Sequence, residues 1–435
     1  MKKQGIAALA AMAWAGFTGM AGAQPPIEAF ADLPFLTQPQ LSPDGRHFAA
    51  IQALDGKPAA AIYQINAPAG SSPQVFASSD WPIMRIDWVK NDRLVVVAKA
   101  GKVPPLAGRS DLYTFTRAMT LEVGGKGDAA ELFNNVKSLG RNTGTGYIVD
   151  KNLDDPDAIL MPLWTLPSND RSDNDPQTDV TGGNDFRWSL YRVDAHTGRA
   201  SVVMNGPRVL ADWIADGQGN IVARVDHSLD PLIDRVQVYQ AGAWKDVRQF
   251  DAGADRGANV FGLTFDGTSL AYAEIVEGRD AITRLDLANG RTGANLFADP
   301  RYDVAYALTD EWTGRVIGAA YAADKTEYVY FDPTRQALQR GIEAVFPGKD
   351  AHAVSVTRDG SKAIVSVEAP TLPPTFYFLD RDTHVASRIA SSYPDLAEAD
   401  LGVVKRYPYK ARDGLDIQAY LTLPPGKDAK NMPLW

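Results

Sequence analysis

The sequence predicts an all-β fold, specifically a seven-bladed β-propeller. Three observations lead to this prediction. Short apolar strands alternate with turns over most of the chain, and turns rich in Asp and Gly return at intervals of 43 to 50 residues. In addition, 37 glycines and 28 prolines among 435 residues favour many turns over long helices. A four-stranded propeller blade takes about 40 to 50 residues, so the interval fits one blade per repeat.

The first half of each repeat reads as a hairpin between two apolar strands. Its clearest copies carry Asp-Gly at the turn and span residues 41–51, 263–273 and 354–365. A tight turn between twisted strands needs a positive φ, which Gly accepts freely and Asp tolerates. Weaker copies centre on Asp92, Gly217 and Asp310. The 125 residues between Asp92 and Gly217 fit two blades plus an insertion.

The repeats place the blades at about 40–79, 85–135, 138–204, 208–250, 257–298, 301–346 and 350–391. The predicted propeller therefore covers 40–391 and follows a lead-in at 24–39. Because one blade cannot bury both faces of its sheet, packing around an axis supplies the core. A pair of β-sandwiches with similar turns is the alternative. The third blade carries an insertion from about Pro162 to Arg187, whose acidic run lacks the Gly and distal Glu of a calcium loop and is expected to be solvated.

The first 23 residues have the pattern of a secretory signal peptide. Lys2 and Lys3 form a basic start, residues 6–20 an apolar core, and residues 21–23 a small-residue cleavage site. We therefore expect an exported protein, periplasmic or secreted, that starts at Gln24 and has no membrane contact after cleavage. An uncleaved membrane anchor is the alternative.

Composition excludes several classes of partner and chemistry. The absence of Cys rules out disulfides, a thiol nucleophile and thiolate zinc sites. The formal charge is −9, and Lys2 and Lys3 leave with the signal peptide. An acidic chain without clustered Lys and Arg argues against a nucleic-acid or anionic-membrane partner.

No residue is assigned a catalytic, cofactor-binding or metal-binding role from the sequence, and no cofactor is expected. The G-x-S-x-G motif of α/β-hydrolases does not occur, and its nearest approach, at 267–271, lies inside a repeat hairpin. The acids at 154–157 and at Glu274 and Glu277 are expected to be solvated. The histidines are scattered and the tryptophans suit blade packing; those considered are His47, His196, His227, His352 and His384, with Trp88, Trp188, Trp213 and Trp312.

The segment after the last blade differs from the blades. Residues 392–402 have the composition of a linker, and residues 403–435 begin with two strands about Asp413-Gly414. The pattern Y-x-x-R-D-G-L-x-I-x-A-Y-L-x-L-P-x-G from Tyr409, followed by M-P-L, resembles the prolyl oligopeptidase family of serine peptidases. The L-S-P-D-G-R opening at Leu41 and the lead-in at 30–35 share this resemblance. In that family a seven-bladed propeller precedes an α/β-hydrolase domain.

The resemblance implies that residues 403–435 begin a truncated α/β-hydrolase domain. The whole protein is then expected to hydrolyse peptide bonds in short peptides through a Ser-Asp-His triad beyond residue 435, with the propeller gating substrate. The 435-residue segment alone is expected to be inactive. Family members with dipeptidyl-aminopeptidase activity hold the substrate amine with paired Glu residues on the propeller, and no matching acidic pair is evident in the sequence.

Two rival functions remain open at this point. The first is a non-catalytic propeller that binds a protein or envelope partner through its loops. The second is a propeller enzyme of the glycosidase or lactonase type, with carboxylates or a metal at the central channel. The scattered acids and histidines of this chain do not favour the second.

Overall fold

The computed structural model describes residues 25–68, 70–78, 81–100, 115–125, 129–165, 186–253, 257–427 and 430. The predicted signal peptide and residues 166–185 of the predicted insertion lie outside the described residues. Among the described helices, none is long and apolar enough to cross a membrane.

Seven antiparallel sheets follow one another along the chain, which confirms the predicted seven-bladed β-propeller. Each sheet joins strands that are consecutive in the sequence. Blades 1 to 3 contain β1 (Leu36–Leu41), β2 (His47–Leu54), β3 (Lys57–Gln64) and β4 (Gln74–Phe76); β5 (Ile83–Lys90), β6 (Arg93–Ala100), β7 (Phe115–Glu122) and β8 (Ala129–Glu131); and β9 (Ala158–Thr165), β10 (Arg187–Asp194) and β11 (Ala200–Met204).

The remaining blades follow the same order. Blades 4 to 7 contain β12 (Leu210–Ala215), β13 (Ile221–Leu229), β14 (Leu232–Gln240) and β15 (Ala243–Asp251); β16 (Val260–Leu263), β17 (Ser269–Val276), β18 (Arg279–Asp286) and β19 (Thr292–Phe297); β20 (Val304–Thr309), β21 (Val316–Ala322) and β22 (Thr326–Tyr330); and β23 (Asp350–Val356), β24 (Lys362–Ala369), β25 (Leu372–Asp380) and β26 (Val385–Ser391). Short 3-10 helices span Ile27–Phe30, Lys137–Arg141 and Glu398–Asp400.

The hydrophobic core is divided among clusters that each lie between two neighbouring blades, one for every pair around the ring. The cluster between blades 7 and 1 contains Leu36 and Phe48 of blade 1 with Ile364 and Phe378 of blade 7. Blades 1 and 7 each consist of four strands consecutive in the sequence, so the ring closes there by packing. Each blade therefore depends on both neighbours to cover its apolar faces.

The strand directions give the ring two distinct faces. The turn face carries the turns between first and second strands, at Gly45, Gly217, Gly267 and Gly360, each with a positive φ. Asp44 accepts hydrogen bonds from the Ser42 hydroxyl and the Arg46 amide, as expected for an Asp-Gly turn. The opposite face, here called the ribbon face, is where the first strand of each blade begins and the chain leaves blade 7.

Neighbouring blades approach so closely at one outer turn that only glycine fits. Gly290, between β18 and β19, has a φ of 66°, and a Cβ built there would overlap the carbonyl of Val247 in β15. The turn between β18 and β19 in blade 5 therefore packs directly against β15, the outer strand of blade 4.

Blade 6 departs from the four-stranded repeat because a helix, α1 (Pro333–Val345), follows its third strand. Asp332 caps this helix by accepting a hydrogen bond from the Thr334 amide at 2.8 Å, and proline occupies the first turn. The helix buries Leu338 and Ile342 against blade 7. The blade predicted at 301–346 therefore has three strands and a helix instead of four strands.

The chain beyond blade 7 forms an interrupted two-stranded hairpin, here called the C-terminal ribbon (residues 403–423). In it β27 (Val403–Arg406) pairs with β30 (Tyr420–Leu423), and β28 (Tyr409–Lys410) pairs with β29 (Asp416–Ile417). The ribbon contacts the ring at Asp324, which accepts a hydrogen bond from the Tyr420 hydroxyl at 3.1 Å and lies 3.6 Å from the Arg406 guanidinium.

Candidate functional site

A cavity of about 630 Å³ lies among blades 1, 2 and 3, toward the ribbon face. Its walls come from the early parts of β1, β5, β7 and β10, the late parts of β6 and β9, and the segment before β9. The lining residues are Gln38, Gln40, Met84, Arg85, Val97, Thr116, Gly144, Gly146, Tyr147, Pro162 and Trp188.

Two glutamines of β1 fix the wall between blades 1 and 2. Gln38 has a φ of 50°, and the pairing of β1 with β2 shifts register at this point, as in a β-bulge. The Gln38 and Gln40 side-chain amides donate to the carbonyls of Met84 and Ile86, each at 2.9 Å. These bonds connect the inner strands of the two blades, which otherwise lack direct pairing, and hold Met84 beside the cavity.

The charge at the cavity is balanced locally. Arg85 is the one charged residue among those lining it, and its Nε lies 2.8 Å from the Asp87 carboxylate. Its guanidinium also donates a hydrogen bond to the carbonyl of Gly146. Arg85 therefore connects blade 2 to the segment before β9 by a hydrogen bond. At the cavity its positive charge is neutralised by the Asp87 carboxylate.

Tyr147 contributes both apolar and polar surface to the cavity wall. The residue is 46% exposed, and burial, with a smaller effect from Asp212, raises the pKa of its phenol to about 12. The exposed part of the side chain is available to a molecule in the cavity.

Three residues, Lys151, Glu311 and Trp312, lie together inside the ring near the turn face, and we call them the axial plug. Trp312 belongs to the turn after β20, but its indole is only 4% exposed and packs with the cluster between blades 1 and 2. Its Nε1 donates to the carbonyl of Val356 in blade 7 at 2.7 Å. Trp312 thus contacts three other blades across the axis, a position that the repeat pattern does not predict.

The other members of the plug are ionisable. The Lys151 Nζ lies 4.7 Å from the centre of the Trp312 ring, and burial lowers the pKa of its amine. Glu311 accepts hydrogen bonds from the Val356 amide at 2.6 Å and the Ser355 hydroxyl at 3.1 Å. Burial raises the pKa of Glu311 to about 7, and nearby Lys151 opposes this rise.

An ion pair reinforces the same end of the ring. Arg358 of blade 7 lies 2.6 Å from Asp154, which belongs to the loop before β9. These elements lie on opposite sides of the seven-membered ring, so the bridge crosses the axis. The acids at 154–157 are therefore partly paired: Asp155 also lies 2.9 Å from Arg192.

Blade 4 presents an ionised triad on the ribbon face. His227 lies 3.0 Å from Asp212 through Nε2 and 2.9 Å from Asp234 through Nδ1. The hydrogen bond to Asp212 makes the largest contribution to a pKa of about 9 for His227; burial opposes it and Asp234 supports it. The imidazole is consequently a cation between two carboxylates at neutral pH.

The structure also brings together an acidic pair that sequence inspection misses. Asp350 and Glu368 are directly opposite each other on β23 and β24, at the ribbon-face end of blade 7. Asp350 accepts a hydrogen bond from the Tyr328 hydroxyl at 2.8 Å. Burial and the Asp350 charge raise the pKa of Glu368. The hairpin register, which pairs residues 18 positions apart, is the signal that identifies this pair.

The histidines considered in the sequence are not brought together. His196 contacts Arg93 at 2.9 Å, His352 stacks on Tyr328, and His47 is partly buried at the start of β2. Within the described part of the chain, no three His, Asp or Glu side chains are arranged to hold a metal ion.

Comparisons with known proteins agree with this architecture. Dipeptidyl aminopeptidase BIII of Pseudoxanthomonas mexicana is 28% identical over 293 residues, which cover 66% of this chain and 42% of the relative. The resemblance to the prolyl oligopeptidase family is confirmed. This chain spans less than half the length of that curated relative. No family model matches the sequence.

Solved structures share the propeller fold. A puromycin-hydrolyzing peptidase of Mycobacterium tuberculosis superposes with a TM-score of 0.53 at 15% identity, covering 92% of this chain and 60% of that one. Prolyl oligopeptidase B from Galerina marginata, bound to a 25mer macrocyclization substrate, gives 0.54 at 11% identity, covering 91% and 56%. These prolyl-oligopeptidase-type neighbours are peptidases whose chains are longer than this one.

Proposed function

We propose that this chain is the substrate-gating propeller of an exported serine peptidase that hydrolyses short peptides. One observation carries the proposal. The cavity of about 630 Å³ lies toward the face from which the C-terminal ribbon leaves, while the axial plug lies toward the opposite face. A peptide held in this cavity would lie beside a domain that follows the ribbon.

We further propose that the ribbon introduces an α/β-hydrolase domain that carries Ser, Asp and His beyond residue 435. Two-stranded ribbons are marginally stable alone and need further strands or a covering layer. Here Tyr407, Tyr409, Leu415 and Tyr420 are each at least half exposed. The greater length of the peptidase relatives supports a domain that would cover these side chains.

The relative's name suggests that peptides with a free amino terminus are substrates. The acidic pair Asp350 and Glu368 on the ribbon face offers negative charge for such an amine. Export to the periplasm or beyond belongs to the same proposal and is supported by the basic, apolar and small-residue pattern of residues 1–23.

A fluorophosphonate probe tests where the chemistry lies. We expect the protein translated from the complete reading frame to be labelled and to cleave dipeptide naphthylamides, and the 435-residue chain to be unlabelled. Labelling of the 435-residue chain would contradict the proposed location of the nucleophile. If the complete protein neither reacts nor cleaves peptides, the non-catalytic binding propeller becomes the better hypothesis.

Cell fractionation tests the location. An exported protein should appear in the periplasm or medium with Gln24 at its amino terminus. Retention of the intact leader on a membrane would contradict this.

A further inference from the structure

We propose that the cavity is a subsite for one bulky apolar side chain of the peptide, and that Met84 and Tyr147 select it. The inference rests on the proposed function, because it takes a peptide as the ligand. It adds the class of side chain and the residues that choose it.

The cavity wall supplies the apolar contact. Met84, Val97, Pro162, Trp188 and the ring of Tyr147 all line it. Met84 is 50% exposed and Tyr147 46% exposed, so both have surface available to a ligand. Covering apolar surface is favourable by about 25 cal/mol for each Å² removed from water. Methionine also adapts its shape to aromatic and aliphatic partners.

The electrostatics of the wall disfavour a charged side chain. Arg85 already has the Asp87 carboxylate at 2.8 Å and the Gly146 carbonyl as partners. An acidic ligand side chain would have to displace Asp87, and a basic one would meet the guanidinium. Both would lose hydration without gaining a free partner. The side-chain amides of Gln38 and Gln40 donate to backbone carbonyls, which leaves the Thr116 hydroxyl and the Tyr147 phenol as uncharged polar groups on the wall.

The volume of the cavity limits how much of the peptide it can hold. A volume of about 630 Å³ is within the range of small-ligand pockets, about 300 to 1,000 Å³. Such a space fits a side chain and its adjacent backbone.

Direct binding to the 435-residue chain tests the subsite without any need for catalysis. The ligands are pentapeptides of alanine in which one position is Phe, Leu, Asp or Lys, measured by calorimetry. We expect at least one Phe peptide to bind tenfold or more tightly than pentaalanine, with the Asp and Lys peptides no better than pentaalanine. Equal binding of the Phe and Asp peptides would overturn the proposal.

Variants assign the selection to named residues. We expect Met84→Lys and Tyr147→Ala each to weaken binding of the preferred Phe peptide at least fivefold, while Tyr147→Phe retains it. The matched control is Val202→Lys, since Val202 is 49% exposed on the outer strand of blade 3. It should leave binding unchanged. Unchanged binding in both Met84→Lys and Tyr147→Ala, with native melting temperatures, would overturn the assignment.

The two proposals fail separately. If the 435-residue chain prefers Phe peptides but the complete protein is not a peptidase, the proposed function is wrong and the subsite stands. If the complete protein cleaves peptides but shows no Phe preference in binding or kcat/KM, the subsite is wrong and the function stands.

Discussion

Replacement of Glu311 by Gln should change how the stability of the propeller depends on pH. In the native protein, burial raises the pKa of this carboxyl from 4.5 to about 7, although Lys151 and the hydrogen bonds from Val356 and Ser355 oppose the rise. Between these two values the folded chain holds a proton that the unfolded chain has lost. The contribution of Glu311 to the free energy of unfolding therefore falls as pH rises from 4.5 to 7, and it is constant above pH 7.

The structure sets the size of this effect. A pKa rise from 4.5 to about 7 corresponds to about 3 kcal/mol. Glu311 is partly accessible to solvent, and Lys151 opposes the rise of its pKa. We therefore expect an effect on the free energy of unfolding of between about 1 and 3 kcal/mol. Gln is neutral throughout and keeps an oxygen that can accept from Val356. The variant should therefore gain this much stability relative to the native chain between pH 4.5 and 7.5.

The assay is urea unfolding of both proteins at pH 4.5, 5.5, 6.5 and 7.5, followed by tryptophan fluorescence. Glu277→Gln, in an exposed turn, is the matched control and should run parallel to the native chain. Parallel curves for Glu311→Gln, or a difference that grows toward acid, would refute the reasoning.

Three further changes test other contacts of the ring. In urea unfolding, Gly290→Ala should lower the free energy of unfolding by about 1 to 3 kcal/mol more than Gly278→Ala. Both glycines have a positive φ, but only at Gly290 would a Cβ overlap the carbonyl of Val247. Equal losses would contradict the close packing of blades 4 and 5. Lys90→Met should lower stability by about 3 kcal/mol, because the ammonium of the 5% exposed Lys90 has three N–H donors and lies within hydrogen-bond distance of four carbonyls of residues 151–158; a loss below 1 kcal/mol would argue against it. The pKa of about 9 at His227 predicts that its stabilisation is present below pH 6.5 and is lost as pH rises through 9. The melting-temperature difference between the native chain and His227→Gln should shrink over that interval, and a constant difference would contradict the triad.

Local signals in the sequence predict the repeating part of the fold. Asp-Gly turns such as those ending at Gly45 and Gly360 depend on the backbone preferences of two residues, so they can be recognised without knowing the partner blade. The interval between them reflects the size of one sheet. The core positions of Trp88 and Trp213, both at most 2% exposed, follow from the same strand pattern.

The candidate site depends on contacts between distant segments and is therefore harder to predict. From the sequence, Trp312 is expected to be a strand-associated tryptophan like the others. In the structure its position depends on its contacts with blades 1 and 2, on the other side of the axis. The cavity likewise requires Met84 and Tyr147, which lie on different blades, to face one space. Helix α1 could be predicted from the sequence, because Asp332-Pro333 is a recognisable helix start, but the repeat of four-stranded blades favours a strand at this position.

The closure of the ring between blades 1 and 7 has a mechanical consequence. The Phe35 amide donates to the Ser392 carbonyl at 2.7 Å, so the entering and leaving strands of the propeller run side by side. A unit whose two connections are adjacent can tilt as a rigid body about that pair of strands, without stretching either one. Unlike the other neighbouring pairs, blades 1 and 7 are not consecutive in the chain and no segment connects them directly, so pulling the ends apart should separate the ring at this joint before any other.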